Sequence, residues 1–294
     1  MDGIILIKAC YSSNYYAQTH TNSMEKLREV AHAVVASNLA TLIEPVALDL
    51  KVLRQLHNPQ YVDAFLAGIK PLAEMSRLKW SPQLKQAVLA INAGQLEAAN
   101  IALREGVAAN IAQGFHHAHY DYGGSYCTFN GLALVAQQYP EKKIFVLDCD
   151  QHGGDGTAEY TQRLPNLFNF TIYGHRYGSR EYNRSIGRFI HPQTGCFEQY
   201  QQALQDAFLA ILSFQPDLII YQAGVDCHLD DPYGSRWLDA NMLYQRDNMV
   251  FKFSKKQQIP ILFVLAGGYQ PLPSLIPLHV STFQAAKNSF KSEK

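Results

Sequence analysis

Residues 143–147, 218–221 and 261–265 are short apolar runs with no polar alternation, and each is followed at once by chemically loaded residues. A strand that turns neither face to water belongs in a sheet covered on both sides, which is the habit of parallel sheets joined by helical crossovers. The intervals fit. A helix is expected from about Gly156, a strand over 168–173, a helix over 199–214, a strand over 217–222, a helix over 240–256 and a strand over 260–265. In such a sheet, ligands collect at the carboxyl ends of the strands, so the three loaded endings are predicted to converge.

The front half is read more coarsely. Residues 4–7 form a short apolar strand, and residues 24–39 have helical spacing with Leu27, Val30, Ala31, Val34 and Val35 on one face and Asn22-Ser23 as the N-cap. His57 through Phe65 is a loop feeding a short helix. A longer helix starts near Ser81 with Pro82 in its first turn and stops at Gly106. No repeat, low-complexity stretch or linker interrupts the chain, and residues 1–294 are read as one domain.

The first ending is Asp148-Cys149-Asp150-Gln151-His152. Extended geometry sends Asp148, Asp150 and His152 to one side, and a catalytic zinc site needs three protein ligands plus an open position. Asp150, His152 and the distant Asp226, which closes Gly224-Val225-Asp226, supply those three; the plainer alternative is that the acids merely cap the next helix. Gly114-Phe115-His116-His117-Ala118-His119 is a second cluster, for which Asp148 and Asp155 are available as acceptors that would fix tautomer and basicity. Gly153-Gly154-Asp155-Gly156 lacks the spacing of a dinucleotide or Walker loop. Ala266-Gly267-Gly268-Tyr269 is a tight turn that would hold one phenol over the site as a donor to a developing oxyanion, or is an ordinary turn. Tyr126 and the group Tyr11, Tyr15, Tyr16 are read as walls of a channel, beside Gly124, or as aromatic packing. No Gly-x-Ser-x-Gly elbow is present, which disfavours a serine hydrolase.

The formal net charge is zero, so no global field recruits nucleic acid. Five cysteines without a C-x-x-C pair argue against a disulfide framework; Cys127, Cys149 and Cys227 are read as buried hydrophobes. No apolar run approaches about 20 residues, so no membrane span and no membrane partner are expected, and a cytoplasmic location is.

Taken in order, Gly114-Phe115-His116-His117-Ala118, Ser125-Tyr126-Cys127-Thr128-Phe129-Asn130, the stretch from Asp148 through Gly156, Gly224-Val225-Asp226 and Ala266-Gly267-Gly268-Tyr269-Gln270 resemble the motifs of the histone deacetylase family, its acetylpolyamine amidohydrolases and class IV-like bacterial deacetylases included. The resemblance spans nearly the whole chain. It implies an arginase/deacetylase-like three-layer α/β fold with a mainly parallel central sheet flanked by helices. It also implies a catalytic Zn2+, or Fe2+, on Asp150, His152 and Asp226, with K+ as a structural ion near Asp148. A water activated by that metal with help from His117 would attack an acyl amide polarised by metal and Tyr269, and His116 would serve as electrostatic catalyst and proton donor. By the same likeness Asp148 pairs with His116, Asp155 pairs with His117, and Tyr126, Gly124, Gly267 and Gly268 line the substrate channel. The implied substrate is an acylated lysine or an acetylated polyamine; a two-metal ureohydrolase is disfavoured by His228, and a non-catalytic acyl-ligand module is the remaining alternative. The chain departs from the family at Tyr126 (phenylalanine is usual), at Gly131 (aspartate is common) and at His20-Thr21 (His-Pro is usual).

Overall fold

The computed structural model describes residues 6–21, 23–175 and 181–291. In chain order its elements are β1 (Ile7–Cys10), α1 (Glu25–Ala36), β2 (Ala40–Ile43), α2 (Leu50–Leu56), α3 (Pro59–Ala67), α4 (Pro82–Glu105), β3 (Val107–Asn110), α5 (Gly131–Gln138), β4 (Ile144–Asp148), α6 (Asp155–Tyr160), β5 (Leu167–Tyr173), β6 (Ser185–Phe189), α7 (Phe197–Phe214), β7 (Leu218–Gln222), α8 (Ala240–Gln257), β8 (Ile261–Val264) and α9 (Leu272–Phe290).

The strands form one eight-stranded sheet in the order β2-β1-β3-β8-β7-β4-β5-β6. Every pairing is parallel. All residues of β3, β4, β7 and β8 are buried, as strands covered by helices on both faces must be. Parallel order has a direct consequence: the carboxyl ends of these four adjacent strands emerge along one edge of the sheet, side by side.

The helix ends follow local chemistry. Ser81 caps α4 by accepting from the Leu84 N–H at 3.0 Å, Pro82 opens it, and Gly106 closes it at φ +89°. Asn58 and Asp49 cap α3 and α2 in the same way.

Several expectations are corrected. The first strand runs from Ile7 to Cys10 instead of over residues 4–7, of which 4 and 5 lie outside the described residues. α1 is shorter than residues 24–39 and its N-cap position is Met24, which makes no side-chain cap bond; Asn22 lies outside the described residues. Val35 is 45% exposed, and Lys26 instead of Val35 completes the buried stripe with Leu27, Val30, Ala31 and Val34. β2, β3, β6, α2, α5 and α9 add to the predicted list.

Candidate active site

Each of the four central strands delivers one piece of the site. β3 leads into the turn carrying His116 and His117, β4 into the Asp148–His152 turn, β7 into Gly224-Val225-Asp226, and β8 into Ala266-Gly267-Gly268-Tyr269. After β4 the chain does not stay extended, as the alternation argument assumed. Asp148 Oδ1 accepts from the Asp150 N–H at 3.0 Å and Asp150 Oδ1 from the His152 N–H at 3.0 Å, two successive side-chain turns that curl the segment. The side chains still meet, because each turn folds the next acceptor back over the last.

Donor atoms of Asp150, His152 and Asp226 all lie within 4.8 Å of one another, the one such group with metal-ligand character among the described residues. His152 Nδ1 is 2.8 Å from Asp226 Oδ2 and 3.1 Å from Asp150 Oδ1. Asp150 Oδ2 also accepts from the Gly267 N–H at 2.7 Å, and Asp226 Oδ1 from the Gln151 N–H at 3.2 Å. Burial and the neighbouring Asp150 carboxylate push Asp226 up to about 7. Burial would raise Asp150 as well, but His116 and His152 outweigh it and hold that carboxyl well below the usual range. On His152 burial is likewise overcome, here by both carboxylates, and the ring is drawn up to about 10. Two buried carboxylates this close demand a positive charge between them. A proton on His152 Nδ1 meets that demand here, and a divalent cation fits the same three donors.

Room for the carboxylates is made by an absent side chain. A Cβ at position 267 would sit 2.6 Å from Asp150 Oδ2 and nearer still to Asp226 Oδ2. At Gly156 a Cβ would sit 2.7 Å from the His116 carbonyl oxygen, so glycine lets α6 dock on the histidine turn, where the Thr157 N–H reaches that same oxygen at 3.0 Å.

The tandem histidines face these donors. His116 Nδ1 is 2.7 Å from Asp148 Oδ2, and His117 Nδ1 is 2.6 Å from Asp155 Oδ1. Burial lowers an imidazole, yet Asp148 and Asp150 outweigh it at His116 and bring that ring up to about 9. At His117 burial wins, helped by the neighbouring His116, and the ring is held below its ordinary value. A cavity of about 640 Å³ opens over the site; its lining includes Asp150, His152, His116, His117, Tyr126 and Tyr269. The Tyr269 ring stands edge-on to His152 at 5.9 Å, and burial beside Asp150 and Asp226 pushes its phenol well above 10, so it stays protonated.

Of the other channel candidates, Gly267 lines this cavity, whereas Gly124 and Gly268 stand behind it. Gly124 exchanges backbone bonds with Cys127, and Gly268 packs on Leu275 and Val225. Tyr11, Tyr15 and Tyr16 are not on its wall; Tyr15 is buried and donates to Asn110 Oδ1 at 2.8 Å. His20 and Thr21 do line the cavity, with the His20 ring edge-on to Tyr126 at 5.2 Å; nothing in the structure explains threonine at 21. Gly131 lies where a Cβ would be 3.2 Å from Asn92 Oδ1, against α4. Residues 175–191 contain β6, and residues 176–180 lie outside the described residues. Cys127, Cys149 and Cys227 are buried thiols, and burial pushes Cys149 up to about 12.

Sequence reasoning missed several supports. Lys26 is buried, lines the cavity and donates to the Ala266 carbonyl at 2.6 Å; burial lowers it to about 8 against the pull of Asp226 and Asp150. The signal was available, since Lys26 stands four residues before Val30 and eight before Val34, a charge on the core stripe. His57 bridges His119 O at 2.9 Å and the Asn130 N–H at 3.1 Å, while Asn130 also binds the Ala118 carbonyl and caps α5. His119 continues the chain of partners beyond Asp155, with Nδ1 at 2.7 Å from Glu159 Oε2. Arg246, buried on α8, donates to the Gly224 carbonyl at 2.6 Å and braces the Asp226 loop. His119 and Asn130 stand in stretches the sequence analysis singled out, whereas nothing in the pattern marked His57, Glu159 or Arg246 in advance.

With this geometry in hand, the comparisons fall into place. The sequence profile of the histone deacetylase domain matches residues 20–282. The chain belongs to the histone deacetylase family. It is 31% identical over 255 residues to an uncharacterized protein of Picosynechococcus sp., covering 84% of this chain and 85% of that one. It is 26% identical to histone deacetylase 2 of Arabidopsis thaliana, over 90% of this chain and 74% of the plant protein. It is 28% identical to acetylpolyamine amidohydrolase 2 of Pseudomonas aeruginosa, over 76% and 68%. The fold also matches the crystal structure of an acetylpolyamine aminohydrolase from Burkholderia pseudomallei with a TM-score of 0.83, covering 96% of this chain and 99% of that one at 16% identity, a likeness of fold alone. The three-layer α/β expectation therefore holds, with the sheet parallel throughout. This member of the histone deacetylase family is a hydrolase by kinship, and no helix among its described residues is long and apolar enough to cross a membrane.

Proposed function

We propose that residues 1–294 form one catalytic domain that hydrolyses the amide of an acylated lysine or a related amine, using a divalent metal held by Asp150, His152 and Asp226. The carrying observation is the convergence of those three donor sets within 4.8 Å at a cavity that His117 and Tyr269 also line. Zinc and ferrous iron both suit two carboxylates and one imidazole. When bound, such an ion polarises the acyl carbonyl and lowers the pKa of a water.

The remaining work falls to the chain. His117 is kept neutral by burial and by the charge on His116, and it donates Nδ1–H to Asp155, so its Nε2 lone pair is free to take a proton from the attacking water. Tyr269 keeps its proton and offers it as a hydrogen bond to the oxygen that gains negative charge. His116, held cationic by Asp148, lies 4.0 Å ring to ring from His117 and supplies the proton that the departing amine needs. The C–N bond breaks as that proton arrives; the products are a carboxylate and a free amine.

The test is acetate release from acetyl-lysine peptides by metal-loaded protein. Chelation should abolish it and re-addition of zinc should restore it. Tyr269→Phe should lower kcat by about 10²–10³-fold with little change in KM, as removal of one oxyanion donor does elsewhere. Turnover indifferent to chelator and to Tyr269→Phe alike would sink the reading.

A further inference from the structure

We propose that the lip of this cavity selects acyl-lysine peptides with an acidic residue beside the acylated lysine, and that Arg77 is the residue that reads that charge; this rests on the amidohydrolase reading above. Among the described residues lining the cavity the cationic side chains besides the histidines of the site are Lys26 and Arg77, and the one carboxylate is Asp150, itself a candidate metal ligand. Lys26 is buried and committed to the Ala266 carbonyl, so Arg77 is the permanent charge that an arriving substrate meets. Its guanidinium is exposed and makes no hydrogen bond or ion pair among the described residues.

The acid nearest to it in the chain, Glu74, and the buried acid behind the lip residues Pro232 and Tyr233 are both engaged elsewhere. Glu74, three residues earlier, accepts from the Trp80 N–H at 2.9 Å and pairs with Lys70 at 2.9 Å. Asp231 is buried and receives the backbone N–H groups of Tyr233 and Tyr269.

Backbone geometry fixes the root of that side chain at the lip. Arg77 is held at φ +64°, and on the same lip Ser125 and Tyr126 stand at +40° and +67°, conformations that L-residues rarely adopt without a constraint. The Tyr126 N–H donates to the Ser76 carbonyl at 2.8 Å and the Arg77 N–H to the Glu74 carbonyl at 2.8 Å, so the backbone that carries Arg77 is tied to the backbone that carries the aromatic wall. Local strain of this kind gathers at ligand clamps. The aromatic rings of Tyr126 and Tyr233 suit the aliphatic stem of a lysine, and Arg77 suits a carboxylate on the adjoining residue, bound through its planar fork. An acetylated polyamine would bring further ammonium groups to the same cation and bind poorly.

The experiment compares kcat/KM of the metal-loaded protein on matched acetyl-lysine peptides with glutamate or lysine on either side of the acyl-lysine, and on an acetylpolyamine. In parallel, fluorescence anisotropy measures binding of the same peptides to Tyr269→Phe. Expected is a roughly three- to tenfold preference for the glutamate peptides at low salt, weaker at high salt. Arg77→Ala should erase this preference and Arg77→Glu should invert it, with the polyamine gaining in the latter. Equal handling of the two peptides, a preference for the polyamine, or a preference unmoved by Arg77→Glu overturns the proposal. Should no substrate turn over while anisotropy still shows an Arg77-dependent acidic preference, the hydrolase reading fails and the charge-reading lip stands.

Discussion

His116 and His117 are neighbours in the chain, 4.0 Å apart ring to ring, and each leans on one carboxylate, yet their environments drive them to opposite protonation states. Asp148 has a fully buried side chain, and Asp150 places a second carboxylate 3.9 Å from the far nitrogen of the His116 ring. Asp155 is 27% exposed at its side chain and divides its oxygens between His117 and His119. The number and burial of carboxylates, more than the presence of a partner, decide which ring is the cation. Once His116 is charged it depresses its neighbour, so the two assignments reinforce each other.

The strongest way to break this comparison is to remove each ring. His117→Ala should lower kcat/KM by about 10²–10⁴-fold, the usual worth of a general base, and His116→Ala by less, with bound metal unchanged by elemental analysis in both. Equal losses would mean that the rings share one role. Next come the carboxylates. Asp155→Asn should cost about 10–100-fold by releasing the His117 tautomer, whereas Asp148→Asn should chiefly lower the titration point of His116, measured by NMR of labelled imidazoles. The pH profile sharpens the contrast further. A base must be unprotonated, and His117 lies below 6.5, so the acid limb of kcat/KM should fall below pH 6.5; a proton donor must be charged, and Asp148 holds His116 above its ordinary value, so the alkaline limb should fall above pH 6.5.

A third histidine shows what burial does without a carboxylate at hydrogen-bond distance. Burial lowers His57 to about 4 against its backbone partners at His119 and Tyr120. Its unfolded form binds a proton at higher pH than the folded one does, so the stability it contributes is complete above pH 6.5 and lost as pH falls toward 4, on the order of 3 kcal/mol. Denaturant titrations at pH 7 and pH 4.5 should show His57→Gln losing less stability than the parent over that interval.

What the sequence disclosed follows the same physics. The endings of β4, β7 and β8 were legible because an unbroken apolar run next to Asp, His or Gly-Gly leaves few other meanings. β3 was hidden because Val-Ala-Ala-Asn is too short and too small to stand out after the long helix that Gly106 ends. α9 was hidden by Pro271, Pro273 and Pro277, which argue against a helix until its start and packing are seen. His57 and Arg246 act through contacts that only the packed chain creates.

The bare α-carbon at position 267 has an outcome for engineering and for reading kindred chains. One added methyl, Gly267→Ala, would displace the Asp150 and Asp226 oxygens that converge at the candidate metal site while the sheet around it stayed assembled. A chain of this shape with any larger residue there is better suited to gripping an acyl ligand than to cutting it.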